Sequence, residues 1–95
     1  MKQVQDKHIV VVGAARSGLA VASLLKRKGA RVFVTDHSAI ADPVKAKLQE
    51  LEIRFEENGH TDEARGADFL ALSPGVPTEA PLVQQYIQAG KAVYS

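Results

Sequence analysis

The sequence predicts an α/β domain: a Rossmann-like, doubly wound parallel sheet of five strands in the order 3-2-1-4-5, with helices on both faces. Three observations predict it. Short apolar, β-branched runs alternate with stretches of helical periodicity along the 95 residues. The first run, Ile9 to Val12, has no polar interruption, which suits a strand covered on both faces rather than one with a wet side. A glycine turn then joins that strand directly to a helix, as in a βαβ unit whose crossover is right-handed.

Each element follows from local chemistry. After "HIVVV" and the turn "GAARSG", Gly18, Val21, Ala22 and Leu25 recur at the spacing of one helical face, with the helix starting near Ser17. Lys26, Arg27 and Lys28 end it before Gly29, so cations meet the negative end of the helix dipole. The basic cluster from Lys26 to Arg31 is therefore read as a helix stop, roughly 15 Å along the helix from the glycine turn at 1.5 Å per residue, and not as a phosphate patch. "RVFVTD", from Arg31 to Asp36, is the second strand. A helix over Ala41 to Leu51 carries Val44, Leu48 and Leu51 inward, with Pro43 as its first helical residue, and Ile53 to Phe55 is a short third strand.

The polar segment "EENGHTDEARGAD" reads as loop with at most one helical turn. Phe69 to Leu72 is the fourth strand, closed by Ser73, Pro74 and Gly75. Pro81 opens a last helix whose Val83, Tyr86 and Ile87 share a face before Gly90 ends it, and "KAVYS" is the fifth strand.

Bulk properties narrow the function. The length fits one domain, residues 1–95, with an expected radius of gyration of roughly 12 Å. Twelve basic and eleven acidic residues leave a net charge of +1, so no broad field draws the chain to nucleic acid or to an anionic membrane. With no cysteine, disulfides, thiolate nucleophiles and thiolate metal sites are excluded, consistent with a reducing cytoplasm. No apolar run approaches the ~20 residues of a membrane span, and the polar start "MKQVQDKH" has no secretory apolar segment.

In doubly wound sheets ligands sit beyond the carboxyl ends of the strands, where the strand order reverses. Three loops meet there: Gly13–Gly18, Asp36–Ser38 and Ser73–Val76. In the first, the unpaired N–H groups and positive dipole end of the helix form an anion site. Gly13 permits the tight turn, Gly18 lets helix and sheet approach, Ser17 either caps the helix or donates to a phosphate, and Arg16 adds a charge. A dinucleotide fingerprint would place a glycine where this chain has Ala15. Asp36 ends the second strand where a carboxylate either bonds a ribose diol or base N–H, or caps the next turn. "SPGV" supplies a hydroxyl, a rigid turn and a glycine that a ligand can approach, or simply terminates the strand. His8, His37 and His60 lack metal-ligand spacing, only His37 adjoins these loops, and no catalytic triad can be assembled.

With "VVGAARSG", "VTD" and "LSPGVP" at these intervals, the chain resembles the N-terminal domain of the Mur ligases over nearly its whole length, most closely the enzymes that add D-glutamate. The resemblance implies a domain that binds the UDP part of UDP-N-acetylmuramoyl-L-alanine in a cytoplasmic, monomeric, ATP-dependent carbon–nitrogen ligase of peptidoglycan synthesis. It implies that Arg16 and Ser17 meet the diphosphate through backbone N–H groups, beside Gly13 and Gly18. Asp36 would accept from the uracil N–H, His37 would neighbour the base, and Ser73 and Gly75 would line diphosphate and sugar. Ala15 stands where the family often has glycine, and His37–Ser38 where it often has threonine–arginine. ATP, magnesium and D-glutamate would belong to other domains, since no G-x-x-x-x-G-K-[ST] occurs here and no cofactor is expected in this one. The chain is thus expected to be an excised domain, inactive alone. The competing expectation is an NAD-binding regulatory domain.

Overall fold

The computed structural model describes residues 4–95. Five strands form one wholly parallel sheet in the order β3-β2-β1-β4-β5: β1 is His8–Val12, β2 Arg31–Thr35, β3 Arg54–Glu56, β4 Phe69–Leu72 and β5 Val93–Tyr94. Helix α1 spans Arg16–Arg27, α2 Asp42–Glu50 and α3 Pro81–Gln88, and a 3-10 turn covers Asp62–Arg65. The predicted class and strand order hold, and the Cα radius of gyration is 12.1 Å.

The central strand is covered on both sides because its residues alternate between two cores. Ile9 and Val11 pack with Val34, Ala71, Ala22 and Leu25 of α1, and Leu48 of α2. Val10 and Val12 pack on the opposite face with Phe33, Leu70, Ala64 in the 3-10 turn, and Val83 and Tyr86 of α3. In register, Val10 lies between Phe33 and Leu70, and Val12 between Thr35 and Leu72, so the three strands that bear the predicted loops end level with one another.

Several boundaries shift. Helix α1 begins at Arg16 with Ala15 as its N-cap, one residue ahead of expectation. Pro43 is the second residue of α2 because Asp42 already has helical geometry. Strand β3 sits one residue later than predicted, and β5 is two residues long rather than five. The inward face of α3 is Leu82, Val83 and Tyr86, while Ile87, expected beside them, is 48% exposed. Ile87 instead lines a surface groove together with Leu72 and Val93. Lys26 donates to the carbonyl of Glu52 at 2.7 Å, which ties the end of α1 to the end of α2 and accounts for part of the basic cluster.

Candidate functional site

The carboxyl ends of β1, β2 and β4 open onto a cleft of about 590 Å³. All three predicted loops reach it, through Gly13–Ala15, through Asp36 and His37, and through Ser73–Val76. A second wall is formed by His60, next to Gly59, whose N–H donates to the Asp36 carbonyl at 3.2 Å, together with Arg65 and the start of α3.

Backbone proximity builds the glycine-loop wall. Gly13 has φ +95°, and a Cβ there would lie 2.9 Å from Ser73 Cβ and 3.1 Å from Val76 Cγ2. A Cβ on Gly18 would lie 1.9 Å from the carbonyl oxygen of Gly13, so helix and turn touch with no room for a methyl group. Ser73 is buried, and its hydroxyl donates to that same carbonyl at 2.6 Å. The hydroxyl expected to face a ligand is therefore spent on latching the loop after β4 to the loop after β1. Gly75 has φ +91° and open space around it, which leaves backbone accessible at the cleft.

Ser17 does not cap the helix. Ala15 is the N-cap, in extended geometry at φ −80° and ψ −169°, with no side-chain cap bond. That negative φ accommodates the Ala15 methyl where a dinucleotide fingerprint uses glycine. The first helical bond runs from Leu19 N–H to the Ala15 carbonyl, so among the described residues the N–H groups of Ala15, Arg16, Ser17 and Gly18 have no partner. Arg16, Ser17 and Gly18 do not themselves line the cleft: the first two are exposed in the first turn of α1, and Gly18 is buried against Gly13.

Asp36 is a brace as well as a cleft residue. One carboxylate oxygen accepts from Ala14 N–H at 2.8 Å and the other from Ser38 N–H at 2.9 Å, binding the glycine loop to the turn after β2. A carboxylate has about four acceptor sites, so a ligand donor can still be met. His37, largely exposed, has Nδ1 3.6 Å from Asp36 Oδ1.

The second wall corrects the expectation that only His37 adjoins these loops, since His60 also lines the cleft, and it adds Arg65, which the sequence did not single out. Thr35 is fully buried, and its hydroxyl lies 2.8 Å from Glu56 Oε2 and 2.6 Å from His60 Nδ1. Burial pushes the Glu56 carboxyl up, but hydrogen bonds from Thr61 and Thr35 outweigh it and hold the group below its ordinary value. Burial also lowers the His60 imidazole, against the opposing pull of Glu56. Arg65 donates to Asp62 at 2.8 Å and to Gln85 of α3 at 3.1 Å. The 3-10 turn that carries it is anchored by Tyr86, whose hydroxyl donates to the Ala64 carbonyl at 2.6 Å and accepts from Ala67 N–H at 3.1 Å. One signal was available in the sequence: Thr35 is a polar residue directly after the apolar run Val32–Val34 of β2.

Among the described residues, no group of three or more His, Cys, Asp or Glu is placed to hold a metal ion, and no helix is long and apolar enough to cross a membrane. The arrangement can bind an anion at α1 and hydrogen-bonding groups along both walls. The Thr35 hydroxyl, which lies beside His60 and Glu56, is fully buried and so closed to an attacking role.

Comparison with known proteins points the same way. The family described as "MurD N-terminal domain" matches residues 8–82. The UDP-N-acetylmuramoylalanine–D-glutamate ligase of Salinibacter ruber is 48% identical over 93 residues, covering 98% of this chain and 20% of that protein. The ligase of the same name from Chlorobium phaeobacteroides (strain DSM 266) is 46% identical over 92 residues, covering 97% and 20%. Among solved structures, a pseudomurein peptide ligase type C from Methanothermus fervidus superposes with a TM-score of 0.79 at 26% identity, covering 94% of this chain and 19% of that one. The chain spans about a fifth of the length of the curated relatives it matches.

Proposed function

The chain belongs to the MurD N-terminal domain family, and on that premise we propose that its cleft binds the uridine diphosphate end of UDP-N-acetylmuramoyl-L-alanine, as the substrate-anchoring part of an ATP-dependent ligase that adds D-glutamate. The observation that carries this reading is the run of unpartnered N–H groups from Ala15 to Gly18 at the positive end of α1, beside a cleft long enough for a nucleotide. The diphosphate belongs at that helix end, where Gly13 and Gly75 let it approach backbone. The base belongs toward Asp36 and His37, at the end of β2. The domain then supplies anchoring and orientation, while ATP, magnesium and D-glutamate are taken by parts of the ligase outside these residues, because the sequence has no P-loop.

Titration of the ¹⁵N-labelled chain with UDP and, separately, with NAD⁺ tests it. We expect UDP to shift the amides of Ala15 to Gly18 first and most strongly. Tighter binding of NAD⁺ at those amides would establish the dinucleotide reading instead, and no response to UDP at them would overturn ours.

A further inference from the structure

The Thr35–Glu56–His60 cluster has an internal logic of protons. The Thr35 hydroxyl has one hydrogen and three neighbours that could take it: Glu56 Oε2 at 2.8 Å, His60 Nδ1 at 2.6 Å and, more distantly, the Gly59 carbonyl at 3.4 Å. Glu56 also accepts from Thr61 N–H at both oxygens, at 3.2 and 3.0 Å, which stabilises it as a carboxylate with no proton to give. If the hydroxyl pointed at His60, the lone pairs of Thr35 and Glu56 would face each other at 2.8 Å inside a buried site. The hydroxyl therefore donates to Glu56, and His60 Nδ1 must carry a hydrogen and donate to Thr35. A neutral ring with its hydrogen on Nδ1 leaves Nε2 as a bare acceptor. His60 lines the cleft, and among the described residues Nε2 has no partner.

Resting on the nucleotide reading of the same cleft, we propose that His60 is a specificity-determining contact: its Nε2 accepts a hydrogen bond from a neutral donor of the bound uridine nucleotide, either the N–H of the base or a ribose hydroxyl. Thr35 and Glu56 are positioning residues, which fix the ring's orientation and choose its tautomer. The charged and titratable groups acting on His60 are Glu56 and Asp36, which favour a cation, and His37 and Arg65, which oppose it; burial adds to the second side and keeps the ring neutral. A donor at this site distinguishes the ligand from one that presents only acceptors there.

Two measurements test this on the 95-residue chain. Two-bond ¹H–¹⁵N correlation on the ligand-free, unmutated chain at neutral pH reads the tautomer directly. We expect hydrogen on Nδ1 and a bare Nε2; hydrogen on Nε2 would overturn the proposal, and this readout is independent of any ligand. His60→Phe should weaken UDP binding by about three- to tenfold, the scale of one hydrogen bond. Against His60→Phe, either UDP methylated at the base N3 or 2′- or 3′-deoxy-UDP should bind as it does to the parent, which identifies the donor that Nε2 meets. If every analogue loses as much affinity in His60→Phe as in the parent, or if UDP binds His60→Phe unchanged, His60 makes no such contact. Failure of UDP to shift the α1 amides would instead remove the nucleotide reading while leaving the tautomer result standing. The tautomer measurement keeps the proposal open to refutation even if His60→Phe folds poorly.

Discussion

The two walls of the cleft differ in what holds them. On one side Gly18 lies against the Gly13 carbonyl with no room for a Cβ, Gly13 packs on the Ser73 side chain, and the Ser73 hydroxyl and the Asp36 carboxylate tie the loop down. On the other, residues 56–65 run on from strand β3 and its backbone bonds to the Asp36–Ser38 turn, and side chains from distant elements add to these: Thr35 of β2 holds Glu56 and His60, and Tyr86 of α3 holds Ala64 and, just beyond, Ala67. The first wall is fixed by what is missing from its residues, the second by what its partners carry. The first suits an anion cradle made of backbone; the second can carry ligand-specific side chains without disturbing that cradle.

The largest expected effect strikes the first wall. Helix propensity alone would make Gly18→Ala stabilising by about 1 kcal/mol, since Ala is the better helix former. The Gly13 carbonyl 1.9 Å from the new Cβ reverses the sign, because backbone on both sides must move. We expect a loss of about 3 kcal/mol in urea unfolding, at the upper end of ordinary overpacking. A loss below about 1 kcal/mol would show that the loop relaxes easily and that the two walls do not differ in kind.

Tyr86→Phe strikes the second wall and should cost about 1–3 kcal/mol, because it strands a buried N–H at Ala67 and a carbonyl at Ala64 while leaving the ring's packing intact. The change should be local as well. Hydrogen exchange at Ala67 should accelerate more than at Ser73, whose N–H donates to the Val12 carbonyl at 2.9 Å. Equal acceleration at both would mean that the walls open as one unit.

The same contrast decides what could be read from the sequence. Strand order, the glycine turn and the three loops were legible because they depend on periodicity, on φ sign and on residues near in sequence. Gly13 at φ +95° and Pro81 at the start of α3 are local requirements with local signatures. Of the two readings of Ser17 the cap falls, because the extended Ala15 takes that position with no side-chain cap bond. Asp36 was placed correctly at the strand end, but its bond to Ala14 N–H spans 22 residues and has no sequence signal. His60 was set aside as remote from the loops, and Arg65 was not singled out, for the same reason: their partners Thr35 and Gln85 lie 25 and 20 residues away.

The smallest expected effect is on pH, and it separates the walls without mutation. The His60 pKa lies below its ordinary 6.5, with burial as the main cause, so the unfolded chain takes up a proton more readily than the folded one. The stability His60 contributes is complete above about 6.5 and is lost as pH falls through the lower folded value. Glu56, also held below its ordinary 4.5, follows the same sign at lower pH: its contribution is present above that value and drains away on further acidification. The contacts among Gly13, Gly18 and Ser73 include no titrating side chain. Acidifying from pH 7 to pH 5 should therefore lower the exchange protection factor of Thr61 N–H, which rests on Glu56, more than that of Ser73 N–H. His60→Phe should remove that difference by taking away the group that charges. A protection ratio that stayed constant across this range in the parent chain would show that the imidazole is not coupled to the wall it lines.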